Sequence, residues 1–388
     1  MTGGEARTTL LRAARAVDVS GIVEDPWLLL DGDTIRATGS GPDAPAAEEV
    51  IDLGTATITP GFVDLHGHGG GGGAYDHPDQ IPTGLAVHRA HGTTRSVISL
   101  VANPVPVLVD HLTAIRALAA RDPLVLGAHL EGPFLSPDNR GAHHPAYLVP
   151  PEPDAVAALL TAGEGVLRQI TIAPELPGAE RAIPAVVEAG VVAAVGHTTA
   201  DHGTAQRAFD LGASMLTHAF NAMPGIHHRA PGPISAAIAD DRVTLELILD
   251  GVHVAPAVAR ILLRAAPGRV ALITDAMAAA GSPDGDYMLG DLGVRVTDGV
   301  AHVAGSDTIA GSTLTQDAAL RIALTQTDVS LVDAVAALTA VPAGAIGEGE
   351  RLGRLAPGYA ADVVAFRGDW TVAGVWAAGV PVAGASAD

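Results

Sequence analysis

Short runs of consecutive apolar residues alternate with Ala-rich stretches through the middle of the chain. The runs are FVDLHGH (62–68), TRSVISL (94–100), LVLGAHLEG (124–132), LRQITIAPE (167–175), VVAAVGHT (191–198), SMLTHAF (214–220), TLELILDG (244–251) and RVALITDA (269–276). Most are followed by a segment of helical character, among them LTAIRALAAR, PDAVAALLTAG, ERAIPAVVEAG, TAQRAFDLG and APAVARILLRAA. A strand without polar alternation is one covered on both faces, as in a parallel sheet wrapped by helices. Eight such alternations predict an α/β fold of the (β/α)8 TIM-barrel type. A doubly wound open sheet has the same periodicity, and periodicity alone does not separate the two.

The two ends of the chain have a different texture. PWLLLDGDTIRATG and EEVIDLGTATITP near the start, and GRLAPGYAADVVAF and WTVAGVWAAG near the end, are short apolar runs broken by Gly, Asp and Pro. They read as strands and turns. The expected organisation is a small discontinuous β-sandwich from residues 1–58 and 352–388, with the barrel, 59–351, inserted between them. The glycine run 69–73 follows His68 directly and reads as a loop close to a ligand rather than a linker.

Composition narrows the chemistry. In 388 residues there are 22 basic and 43 acidic side chains, a formal charge of −21, which argues against nucleic acid or an anionic membrane as partner. There is no Cys, so disulfides, thiolate metal sites and cysteine nucleophiles are excluded. Every basic residue is Arg, so a Schiff-base lysine, a P-loop lysine and a carboxylated lysine bridging two metals are excluded too. No secretory h-region and no membrane-length apolar run is seen, and a cytoplasmic location is expected.

Polar residues gather where the predicted strands end. His66 and His68 end the first, Glu131 the third, His197 the fifth, His218 the sixth, His253 follows the seventh and Asp275 ends the eighth. Active sites of such barrels are built at the C-terminal ends of strands. Residues i and i+2 of a strand point the same way, so His66 and His68 can reach one cation. His, Glu and Asp without thiolates suit Zn, Fe, Co or Mn. Such an ion lowers the pKa of water from ~15.7 to about 7 and polarises a carbonyl. Amide hydrolysis also needs a proton carrier, and Asp275 is placed for that role. Its alternative role is an N-cap for the segment that follows.

The motifs PGFVDLHGHGGGG (60–72), HLEGPFLSPDNRGAHHP (129–145), APE (173–175), VGHTTA (195–200), THAFNAMPGIHHRAPG (217–232), ILDGVHV (248–254), ITDAMAAAG (273–281) and AGSTLT (310–315) resemble the N-acetylglucosamine-6-phosphate deacetylases of the amidohydrolase superfamily. HLEGPF and THAFNAM carry that family's resemblance; HGH and the tail GRLAPGYAADVV (353–364) belong to the wider superfamily. The resemblance implies that Glu131, His197 and His218 hold one divalent metal, Zn first among the candidates, and that His66 and His68 allow a second. It implies that Asp275 is the general base and acid, and that His143 contacts the acetamido carbonyl or the sugar, with His144 one register away. It implies that Asn221, Ala222, Arg229 and His253 bind the phosphate end of the substrate. In the family such groups come in part from the neighbouring subunit of a homodimer. The implied reaction converts N-acetylglucosamine 6-phosphate to glucosamine 6-phosphate and acetate. The galactosamine epimer, a cyclic amide or purine substrate, and a non-catalytic scaffold are the competing readings.

Overall fold

The computed structural model describes residues 8–383. Residues 1–7 and 384–388, the outer ends of the expected terminal domain, lie outside the described residues. Among the described residues, eight strands join one sheet in chain order: Phe62–Asp64, Thr93–Val101, Val125–Glu131, Leu167–Ile172, Val192–Val195, Met215–Leu216, Thr244–Ile248 and Val270–Ile273. From the second strand to the eighth every pairing is parallel. The last strand then returns to the first. The Thr274 N–H and hydroxyl donate to the Asp64 carboxylate (3.3 and 2.6 Å), and the Asp275 N–H donates to the His66 carbonyl (2.8 Å). These bonds separate a barrel from the open sheet that the periodicity equally allowed.

The continuous apolar runs have the expected cause. The second and third strands are buried at every position, covered by helices outside and by barrel-filling side chains within. Helices follow at Ile81–Ala90, Val105–Ala119, Pro153–Gly163, Ala179–Glu188, His202–Asp210, Gly232–Ala239 and Pro256–Ala265. Two of them start on proline, whose missing N–H has no intrahelical role in the first turn. The His202 helix starts on Asp201, whose side chain accepts from the Thr204 N–H at 2.8 Å.

The strands end earlier than the sequence suggests. The first stops at Asp64, so His66 and His68 lie beyond it rather than on it. His197, His218 and Asp275 also follow their strands, with positive φ of 45°, 25° and 48°. The i, i+2 argument for His66 and His68 therefore does not hold as stated, although their side chains do converge. Glu131 is the one of these side chains that is the last residue of a strand proper.

After the eighth strand comes an antiparallel sheet that the sequence reading missed: Gly285–Leu289, Leu292–Thr297 and Val300–Val303. Its strands are short, with exposed positions between the buried ones. Leu289, Val294, Val296 and Ala301 pack with Val101, Met277, Ala279 and Ala310. The glycine run forms a buried antiparallel pair, Gly69–Gly70 with Gly73–Ala74. Gly71 and Gly72 donate backbone bonds to Ala280 and Ala278 (both 2.7 Å). A Cβ on Gly69 would lie 2.4 Å from the Gly73 carbonyl oxygen, so close backbone approach, not ligand contact, demands glycine there.

Both ends of the chain meet in a β-sandwich. One sheet holds Thr34–Ser40, Pro26–Asp31, Thr8–Arg12 and Glu49–Asp52. The other holds Val380–Ala383, Val372–Ala377, Val363–Phe366, Thr57–Pro60, Arg15–Asp18 and Gly21–Glu24. Val364 lies opposite Thr59, across an antiparallel pair of C- and N-terminal strands. Leu11, Leu28, Leu30, Ile35 and Ile51 from one sheet share a core with Ile58, Val363, Ala365 and Trp376 from the other. Packing divides the described residues into one compact unit of 8–63, 88–95 and 316–383 and another of 64–87 and 96–315. The helices after Gln316 fall with the sandwich by this measure, while sequence texture set the boundaries at 58/59 and 351/352. Texture tracks local element type, whereas packing follows contacts made over long separations.

Within the first unit, Arg95 and Asp362 form a buried bidentate pair (2.6 and 3.0 Å). Asp362 also accepts from the Ala378 N–H at 2.7 Å. Asp362→Ala leaves the guanidinium without this carboxylate, and the expected loss is about 3–5 kcal/mol of stability, measured by denaturant unfolding.

Candidate active site at the mouth of the barrel

Seven buried side chains from strand ends and loops converge on one point. At its centre is Glu131, 3% exposed. Its Oε1 lies 3.0 Å from the Nε2 atoms of both His197 and His218, and 3.4 Å from that of His66. Its Oε2 lies 3.1 Å from His68 Nε2 and 3.4 Å from His143 Nε2. Asp275 Oδ1 sits 3.3 Å from His68 Nε2 and 3.6 Å from His66 Nε2. The paired imidazole nitrogens face each other closely: His66 and His68 at 3.1 Å, His197 and His218 at 3.0 Å.

Three of the rings are held from behind, while Nδ1 of His68 and of His218 has no hydrogen-bond partner among the described residues. His66 Nδ1 donates to Glu246 Oε2 at 3.1 Å, and His197 Nδ1 donates to the Asn139 carbonyl at 2.9 Å. A ring whose Nδ1 carries the proton has its Nε2 lone pair free for a cation. His143 is oriented the opposite way. Its Nδ1 accepts from the Ala102 N–H at 3.1 Å, so when neutral it carries its proton on Nε2, toward Glu131 and the cavity. Asp275 is clamped by its own backbone: its carbonyl accepts from the Ser312 N–H at 2.7 Å. The Ser312 hydroxyl donates to the Thr274 carbonyl at 2.6 Å. A Cβ on Gly311 would lie 3.0 Å from the Asp275 carbonyl oxygen. The segment AGSTLT thus acts by fixing Asp275.

Burial and charge oppose each other here. Burial lowers an imidazole pKa, and for His197 it prevails, taking the ring to about 4. At His66 and His68 burial is outweighed by Glu131 and Asp275. His66 stands well above its ordinary value and His68 at about 9. Burial would raise the carboxylates, but the surrounding histidines hold Glu131 well below the usual range and Asp275 at about 2. The centre therefore favours positive charge among its rings. Lone pairs of buried His, Glu and Asp, facing one another at these separations, fit a divalent cation. His66, His68, Glu131 and Asp275 form one such group, and Glu131 with His143 and His197 another.

A cavity of about 420 Å³ opens over this centre. His68, Glu131, His143, His197, His218 and Asp275 are exposed to it, with Asn221, Ala222 and His253 on its wall. The inserted sheet and the loop after it add Leu289, Asp307, Thr308 and Ile309. Asn221 and Ala222 are partly committed: the Asn221 N–H donates to the His218 carbonyl (3.0 Å) and the Ala222 carbonyl accepts from the Thr198 N–H (3.1 Å). His253 Nδ1 donates to Asp250 Oδ2 at 2.6 Å. That bond outweighs burial and raises the His253 pKa. Arg229 is not brought to the cavity; it lies exposed on the loop before Gly232. His144 turns away from the centre and caps the short helix Pro145–Tyr147, accepting from the Ala146 N–H at 3.3 Å. The register of the loop thus places His143, not His144, at the cavity.

The model of the amidohydrolase family matches residues 57–382. The chain belongs to the amidohydrolase family. This amidohydrolase is 36% identical over 377 residues to an N-acetylgalactosamine-6-phosphate deacetylase of Escherichia coli O157:H7, covering 96% of this chain and 98% of that protein. It is 36% identical over 334 residues to the human N-acetylglucosamine-6-phosphate deacetylase, covering 82% and 81% of the two chains. Its structure matches that of an N-acetyl-D-glucosamine-6-phosphate deacetylase from Mycobacterium smegmatis, an aspartate-to-alanine variant in complex with N-acetyl-D-glucosamine-6-phosphate. The TM-score is 0.93 at 43% identity, covering 97% of this amidohydrolase and 100% of that chain.

Sequence reading passed over Glu246, Gln169, Asn139 and the cavity wall at Leu289–Ile309. Glu246 carried a signal: a lone carboxylate inside the apolar run TLELIL is costly to bury without partners. Asn139 meets the His197 ring through its carbonyl, which any residue could supply, while its side-chain amide donates to the Thr198 carbonyl next to that ring.

The raised His68 pKa makes metal uptake proton-linked. In the metal-free chain this ring contributes stability in full below about pH 6.5, and the contribution is lost as pH rises through about 9. A cation competes for the same lone pair. Near neutral pH, an ion bound beside His68 is expected to release at least one proton, and affinity should rise with pH up to about 9. Calorimetric titration in buffers of different ionisation enthalpy measures that release.

Proposed function

We propose that this amidohydrolase removes the acetyl group of N-acetylglucosamine 6-phosphate, giving glucosamine 6-phosphate and acetate. The observation that carries this reading is the buried Glu131 centre, with Asp275 and a hydrogen-bond-donating His143 on one cavity, in a chain 43% identical to a deacetylase with that sugar phosphate bound. In this reading Glu131, His197 and His218 hold one divalent ion, Zn before Fe, Co or Mn, and His66 and His68 a second. Such an ion polarises a carbonyl and acidifies water.

The remaining work falls to the chain's own residues. His143 donates a hydrogen bond from its Nε2–H to the acetamido carbonyl oxygen, where negative charge grows during attack, and keeps its proton. Asp275 rests ionised and accepts a proton from the attacking water on Oδ1. It then returns the proton to the sugar nitrogen as the C–N bond breaks. His253, whose pKa Asp250 raises, faces the phosphate with its other ring nitrogen, an N–H donor when the ring is protonated, beside Asn221 and Ala222. Arg229 stands outside the cavity of its own chain. We infer a homodimer in which Arg229 serves the phosphate of the neighbouring subunit, in the bidentate manner that guanidinium allows. Residues 59–351 form the catalytic domain, 1–58 with 352–388 the companion sandwich, and the enzyme works in the cytoplasm. Among the described residues, no helix is long and apolar enough to cross a membrane.

Acetate release from the glucosamine and galactosamine derivatives tests the reading. A higher kcat/KM for the glucosamine derivative is expected; the reverse order would assign the activity carried by the name of the E. coli relative. Asp275→Asn should lower kcat by roughly 10²–10⁴-fold while the protein still folds and binds metal, read by elemental analysis of the same sample. Arg229→Ala should raise KM for the phosphorylated sugar about tenfold or more, as loss of a charge-assisted hydrogen bond implies, and leave KM for the unphosphorylated sugar nearly unchanged. Equal effects on both would remove Arg229 from phosphate binding.

A further inference from the structure

Glu246 is 0% exposed and lies in the seventh strand, Thr244–Ile248, between Leu245 and Leu247. Neighbouring residues of a strand face opposite ways, so its side chain points into the barrel while both leucines point outward. A buried carboxylate is tolerated only with full hydrogen bonding. Glu246 has three donors. Its Oε1 accepts from Gln169 Nε2 at 3.1 Å; its Oε2 accepts from His66 Nδ1 at 3.1 Å and from the His218 N–H at 3.4 Å. Gln169 Nε2 also donates to the Leu65 carbonyl at 3.2 Å. Two of these contacts reach residues of the centre, His66 through its ring and His218 through its backbone.

His129 packs edge-on against the His66 ring, with centroids 4.6 Å apart and planes at 83°. Its own nitrogens are engaged by Ser99 Oγ (3.0 Å) and Thr171 Oγ1 (2.9 Å). His129 therefore sets the plane of His66 but not its tautomer, which is left to Glu246. We propose that Glu246 is a positioning residue that keeps the His66 proton on Nδ1, so that its Nε2 lone pair faces His68, Glu131 and Asp275, and thereby determines whether an ion is held by His66 and His68. This rests on the reading of the barrel mouth as a divalent-metal centre. Without the carboxylate, the neutral ring is free to carry its proton on Nε2. That proton would point at His68 Nε2, 3.1 Å away, into the space a cation needs.

Glu246→Gln keeps the shape and removes the charge. Gln169 Oε1 has no hydrogen-bond partner among the described residues, so a rotated Gln169 amide can accept from the new side chain. The test titrates metal-free protein with Co²⁺, following visible absorption and counting ions per chain by dialysis and elemental analysis. His66→Asn is the benchmark for loss of the His66 ligand. The expected result is that Glu246→Gln weakens one ion by 10- to 100-fold, matches His66→Asn in which ion is affected, and leaves the other ion at wild-type affinity. Two ions held with wild-type affinity in Glu246→Gln would overturn the proposal. So would equal ion counts in wild type and His66→Asn. A wild-type chain that binds no divalent ion would instead overturn the metal centre itself. If Glu246→Gln does not fold, ring ¹⁵N shifts of Zn²⁺-loaded wild type still decide the matter, with His66 assigned by its absence in His66→Asn. A protonated Nδ1 is expected, and an unprotonated one sinks the proposal.

Discussion

The barrel mouth is organised around a single negative charge. Glu131 brings a carboxylate to a place with almost no water, and five imidazoles approach its two oxygens within 3.4 Å. An isolated carboxylate could not remain ionised there. The histidines meet that demand, and at His66 and His68 the burial cost is offset because Glu131 and Asp275 stand beside them. Ligands and charge are thus mutually dependent, and removing any one of them leaves the others buried without compensation. The same balance makes the centre receptive to a cation, which neutralises the carboxylates better than protons shared among crowded rings.

Holding these groups together strains the backbone. His197, His218 and Asp275 have left-handed φ values, as do Phe220 and Ala222 beside the cavity, each at a cost of roughly 1–3 kcal/mol. The strain persists because hydrogen bonds from neighbouring elements over-determine each residue. The Asp275 backbone is caught between His66 and Ser312, and Thr274 is bonded to Asp64 where the barrel closes. Closure of the sheet and placement of Asp275 are accordingly one structural event. The glycine pair at 69–74 belongs to the same arrangement. His68 donates its N–H to the Ala276 carbonyl at 2.7 Å, and its own carbonyl accepts from the Tyr75 N–H at 2.7 Å.

The barrel and much of its site are legible in the sequence. Eight apolar runs mark strands covered on both faces, and each polar residue placed at a run's end lies near the mouth, because parallel strands in a barrel all deliver their C-terminal ends to one side. The absence of lysine excludes a carboxylated-lysine bridge between metals. These features are local: they depend on the order of residue types along a few positions. The terminal sandwich is legible for the same reason, through Gly- and Pro-punctuated apolar runs at both ends.

Tertiary structure decided what depends on direction and distance. It set Nδ1 of His66 against Glu246 and Nδ1 of His143 against the Ala102 N–H, so two histidines that look alike in sequence have opposite proton arrangements. It turned His143 inward and His144 outward, which a shift of one residue in a loop would reverse. It kept Arg229 away from the cavity of its own chain and closed that cavity with a sheet whose short, half-exposed strands carry little periodic signal. Residue type and spacing determine which chemistry is available to this protein. Bonds between residues separated by tens to hundreds of positions determine which atom of each residue faces the cavity.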